Sequence, residues 1–141
     1  MRSDTFIRDN AFQTRDKAKQ VASILIERDG TVYSYGYHYP LLFIVNGLKF
    51  RNTAGYSATT GKHISWCGGL SDYNVELDGV QYGTSKERMQ YDNVLESLNK
   101  TLDRQVQEEK ETKRKGTQKN TWQIIDIRET AETINALELT V

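Results

Sequence analysis

The chain of 141 residues contains one cysteine, one proline and two histidines. A lone thiol, Cys67, excludes an internal disulfide, and a cytosolic setting is the natural expectation. A lone proline, Pro40, excludes a proline-rich linker. The longest apolar run, residues 40–45, falls far short of the roughly 20 residues that cross a bilayer. The opening MRSDTFIRDNAF lacks the apolar stretch of a secretory signal. An excess of either charge is also missing. The 19 basic and 19 acidic side chains cancel, so bulk charge makes no case for nucleic acid or an acidic membrane. Only 37% of residues are apolar and the mean hydropathy is -0.68, which leaves material for a small core. These absences predict a single intracellular domain over residues 1–141 with no membrane partner and no cofactor. No metal site is expected, because two imidazoles are too few ligands.

What is present changes character along the chain. Residues 13–20 predict a short helix with Phe12 as one contact, and residues 21–27 (VASILIE) read as a β-branched strand. Asp29-Gly30 marks a hairpin turn, with residues 31–36 as the return strand. Residues 41–45 and 48–52 flank Asn46-Gly47, the strongest short hairpin signal. Residues 53–62 read as a loop, 63–67 as a fifth strand, and 73–77 and 80–82 as two more around Asp78-Gly79. The region 21–82 is therefore expected to be an antiparallel meander.

After Gly83 the period becomes helical. Thr84 and Glu87 form a capping box, and Tyr91, Leu95, Leu98, Leu102 and Val106 line one face of a helix over residues 85–113. That narrow stripe must cover the sheet or pair with a second copy of the chain, which makes a homo-oligomer through the long helix an expectation. Gly116 breaks the helix within a run of five cations, and Lys113-Arg114-Lys115 reads as a solvated helix end. In residues 121–141, residues 121–127 read as a strand or packed extended segment. Residues 129–139 read as a final helix with Ala131, Ile134 and Leu137 inward. The predicted class is α+β: an antiparallel sheet, one long helix and a short C-terminal helix.

Residues 52–65, NTAGYSATTGKHIS, concentrate hydroxyls, glycine and a lysine with almost no apolar side chain. Ser57, Thr59, Thr60 and Lys62 suit a phosphate, with hydroxyls fixing geometry and the ammonium supplying charge. Arg51 at the end of the preceding strand would add a bidentate contact, and His63 adjoins Lys62. The spacing is not that of a Walker A loop, and the bland alternative is a turn whose hydroxyls bond their own backbone. Tyr33, Tyr35, Tyr37 and Tyr39 alternate, so in one strand they would share a face. That face either stacks a base, with Tyr33 or Tyr35 as the platform, or lies under the long helix. Arg128, the sole cation of residues 121–141, would close the site from the tail. His38 and His63 also admit acid–base chemistry on a phosphodiester, though neither has an acidic neighbour in sequence. Cys67 beside Trp66 reads as a small buried hydrophobe.

The segments YSYGYHYPL and NTAGYSATTGKHIS resemble small bacteriophage proteins in which a YSYG-x-H-x-P segment precedes an N…YS-x-TT-x-KH segment. The resemblance covers roughly residues 21–67, and Gly61 stands where that pattern has serine. It implies a phage or mobile-element origin, hence a host cytoplasm, and brings no reaction with it. With the residues, it predicts a non-enzymatic protein that binds a phosphate-bearing nucleotide, for instance to sequester a host immune signal. The alternatives are an inhibitor docking on a host enzyme and a His-dependent phosphodiesterase.

Overall fold

A computed structural model describes residues 1–55, 58–78, 84–116 and 121–141. The elements in order are α1 (Ser3–Asn10), β1 (Lys19–Val21), β2 (Ile24–Ile26), β3 (Val32–Ser34), β4 (Tyr39–Val45) and β5 (Leu48–Asn52). They are followed by α2 (Ala58–Trp66), β6 (Tyr73–Val75), α3 (Ser85–Arg88), α4 (Tyr91–Arg114) and α5 (Thr121–Glu138). The strands form one sheet in sequence order, antiparallel throughout except for β5 and β6. The class is α+β, as the sequence predicts, with a sheet, a long helix and a C-terminal helix.

The turns follow local chemistry. Asn46 and Gly47 take φ of 49° and 84°, the left-handed pair that a two-residue hairpin needs. Gly30, at φ 91°, closes the β2–β3 turn, where the Asp29 carboxylate accepts from the Thr31 N–H at 2.9 Å. The expected strand over residues 21–27 is instead two strands, because the chain reverses at Ala22-Ser23 with Ala22 at φ 51°. An alanine held there stores about 1 kcal/mol. Ala22→Gly should therefore stabilise the fold by about that amount in urea denaturation.

One irregularity lets a single strand serve two cores. Val32 pairs with Leu42 while Tyr33 pairs with Pro40, so Leu41 is the extra residue of a bulge. Tyr39, Leu41 and Leu42 therefore join a first core with Phe6 and Ile7 of α1, Ile24, Ile26 and Cys67. Phe43 and Val45 join a second core with Phe50, Val75, Val94 and Leu98 of α4, and Ile134 and Leu137 of α5. Each such side chain taken fully from water contributes roughly 1.5–3 kcal/mol.

Several expectations are corrected. No helix covers residues 13–20; the N-terminal helix is α1, anchored by Phe6 and Ile7. The expected loop and fifth strand are both replaced by α2, because Thr60, His63, Ile64 and Cys67 follow helical spacing onto the first core. Two of those four are polar, which hides the period in the sequence. As α2 is a crossover, β6 enters parallel to β5 rather than antiparallel. The strand expected at residues 80–82 lies outside the described residues.

The long helix is interrupted at Gln90, whose extended backbone separates α3 from α4. The Thr84 hydroxyl does accept from the Glu87 N–H at 3.3 Å. Of the expected stripe, Tyr91, Leu95, Leu98 and Leu102 pack on the second core, the first of the two alternatives, joined by Val94 and without Val106. Residues 121–127 are helical, not extended. α5 runs antiparallel to α4, with Gln123 donating to Thr112 and Thr130 to Gln105. Ala131 faces solvent, while Thr130 and Thr133 are buried by donating to backbone carbonyls one turn earlier. Among the described residues no helix is long and apolar enough to cross a membrane.

Candidate functional site

The four alternating tyrosines do not share a face. Tyr33 ends up buried in β3 and Tyr39 in β4, while Tyr35 and Tyr37 sit in the turn that joins them. That turn is tight: the His38 N–H donates to the Tyr35 carbonyl, and Tyr35 and Gly36 take φ of 58° and 66°. Strand alternation sends Tyr33 and Ser34 to opposite faces, so the turn is flanked by two different environments.

On the Ser34 side lies α2. His63 is buried, and its Nδ1 lies 2.6 Å from the Ser34 Oγ. The Tyr35 ring stands 5.8 Å from the imidazole and the Trp66 ring 5.2 Å, with the Lys62 ammonium 5.4 Å above Trp66. Burial, with Lys62 beside it, holds the imidazole below its ordinary pKa, so it is neutral at pH 7. The stability this group contributes is complete above the unfolded value of 6.5 and declines as pH falls below it, because the unfolded ring accepts a proton that the folded ring resists. His63→Gln should therefore flatten the Tm-versus-pH curve between about pH 7.5 and 5.5.

On the Tyr33 side lies a cleft of about 460 Å³ between the turn and α3. Its aromatic wall is Tyr33 and Tyr37, which meet edge to face at 5.2 Å. Its other wall carries Thr84, Ser85, Lys86 and Arg88, and His38 lines the turn end. The Ser85 hydroxyl donates to the Tyr37 carbonyl, and Tyr33 donates to Glu27 at 3.4 Å. Arg88 is 9% exposed; its NH1 donates to the His38 carbonyl at 3.4 Å, and its buried Nε has no partner among the described residues. Burial lowers its proton affinity, opposed by Tyr39 and Asp78. Among the described residues, two cations and no carboxylate line this cleft, with Glu27 reached only through the Tyr33 hydroxyl.

A second cleft of about 420 Å³, between β6 and the α4–α5 pair, has the opposite character. Asp72, Glu76, Asp126, Glu129 and Glu132 line it, which disfavours any phosphate. Among the described residues no group of three or more His, Cys, Asp or Glu is placed to hold a metal ion.

The structure brings Tyr35, Lys62 and His63 together and separates the other sequence-derived candidates. Tyr33 belongs to the Arg88 cleft. Thr59 is exposed on α2, Thr60 is fully buried beneath it, and Ser57 lies outside the described residues. Arg51 braces the scaffold, its Nε donating to Asn74 at 2.9 Å and its NH1 to the Ile64 carbonyl at 3.3 Å. Arg128 is exposed on α5, whose inward side chains belong to the second core while those of α2 belong to the first. It lines neither environment beside the turn. The two histidines are apart as well, His38 at the Arg88 cleft and His63 against Ser34. Cys67 is fully buried, and burial pushes its thiol up to about 12, so it is the small hydrophobe expected. Sequence reasoning missed Arg88, Lys86 and Trp66. No local pattern marks Arg88 as inward-facing; only the break at Gln90 turns α3 toward the tyrosines.

No family model matches this chain, and no curated protein or solved structure is significantly similar to it.

Proposed function

We propose that this is a non-enzymatic binding protein for a phosphate-bearing nucleotide, held in the cleft between the β3–β4 turn and α3. The observation that carries the reading is Arg88. A guanidinium withdrawn from water with no carboxylate in ion-pair contact among the described residues, only the more distant charge of Asp78, is costly unless an anion completes its hydrogen bonds. Its unpartnered Nε supports the same seat for an anion. Lys86 adds a second charge and Thr84 a hydroxyl, while the Tyr37 ring beside Tyr33 offers a face for a base. The volume lies within the range of small-molecule sites. Sequestration of a nucleotide signal inside an infected host is the role that this chemistry and the resemblance to phage proteins support together.

Calorimetric titration with AMP, GMP, CMP and UMP, alongside adenosine and inorganic phosphate, tests the reading. At least one monophosphate should bind in the micromolar range, with the corresponding half-ligands at least tenfold weaker. If none of the four binds below millimolar concentration, the reading fails.

A further inference from the structure

Resting on that reading, we propose that the ligand extends across the β3–β4 turn and is a dinucleotide, two nucleotides joined by a phosphodiester. Tyr35 and Tyr37 are separated by Gly36 alone, and both rings are exposed, at 40% and 52%. They serve opposite sides. Tyr37 meets Tyr33 at the Arg88 cleft, whereas Tyr35 faces His63, which is bonded to Ser34 on the other face of the same strand. The Cα atoms of Tyr35 and Tyr37 lie at most about 7 Å apart, so the two rings flank one turn.

Each side has its own cation. Lys86 and Arg88 stand by Tyr37, and Lys62 stands on the Trp66 ring in the aromatic row that Tyr35 and His63 continue. One nucleotide accounts for the cleft but leaves the Tyr35 ring and the Lys62 ammonium, held over Trp66, outside it. The first base lies on Tyr37 with its terminal phosphate at Arg88, and the second stacks on Tyr35 with Lys62 near its backbone.

The test titrates the full chain with AMP, with the dinucleotide pApA and with a 5′-phosphorylated adenosine decanucleotide. The variants are Arg88→Gln, Tyr35→Asn and Tyr35→Phe. Asparagine tolerates the left-handed backbone, so Tyr35→Asn removes the ring without unseating the turn. In the wild type pApA should bind about ten- to a hundredfold more tightly than AMP, the gain expected from one stacked base. Tyr35→Asn should bring pApA down to the affinity of AMP, Tyr35→Phe should keep the gain, and Arg88→Gln should weaken both ligands. Preference for pApA over the decanucleotide assigns a free dinucleotide, and equal affinity assigns a strand end; either sustains the proposal. If AMP binds as tightly as pApA, or Tyr35→Asn leaves the gain intact, the dinucleotide is overturned while the mononucleotide reading stands. If neither AMP nor pApA binds, both fall.

Discussion

Gly30→Ala should cost about 4 kcal/mol of stability, against about 1 kcal/mol for Gly47→Ala. Both glycines occupy the left-handed region, Gly30 at φ 91° and Gly47 at φ 84°, so both substitutions incur the conformational penalty. They differ in surroundings. A Cβ on Gly30 would lie 2.6 Å from both the Gln13 nitrogen and the Phe12 carbonyl carbon, whereas nothing lies within 4 Å of one on Gly47. The atoms in the way are backbone, which cannot rotate aside as a side chain would. The Phe12 N–H also donates to the Gly30 carbonyl at 2.9 Å, so this approach pins the end of α1 to the β2–β3 turn. Separating the two would loosen Phe6 and Ile7 from the first core. Urea denaturation of both variants gives the comparison. Equal losses would mean that the close approach at Phe12 is absent in solution.

Arg88→Met should weaken nucleotide binding about ten- to a hundredfold and, in the same protein, leave stability unchanged or raise it by about 1 kcal/mol. The opposite signs follow from one fact. A buried guanidinium with an unpartnered Nε lowers the stability of the empty protein, and methionine fills similar volume without that desolvation. An anion in the cleft would supply the missing acceptor, so binding would lose a charge-assisted hydrogen bond when Arg88 is removed. Thermal denaturation and calorimetric titration on the same preparation read both effects. If Arg88→Met lowers stability sharply and leaves binding intact, the side chain is a brace for the His38 carbonyl, and the cleft is not the site.

Much of the scaffold was legible because its signals are local. Asn46-Gly47 and Asp29-Gly30 set turns through backbone freedom at single positions, and both turns form. The stripe from Tyr91 to Leu102 is long enough for its period to be unambiguous, and it packs where that period requires. Short mixed segments were not legible. The segment HISWC has β-type composition, yet its neighbours Thr60 and Gly61 extend it into a helix whose buried face is half polar. Four of residues 121–127 are β-branched, and the packing of α4 against α5 overrides that propensity.

The candidate site shows the same division more sharply. By itself the sequence determined the inventory: four alternating tyrosines, a Lys-His pair, a capped helix start and an α+β order of elements. Only the tertiary structure decided which of these meet. The bulge at Leu41 apportions β4 between two cores, and the break at Gln90 carries Arg88 to the tyrosines, while Arg51 and Thr60 are consumed by the scaffold. Turn and period signals act over a few residues and survive in any context. Whether a cation is spent internally or left facing a cleft depends on groups brought from distant parts of the chain, such as His38 and Arg88, and their meeting is a property of the packed fold alone.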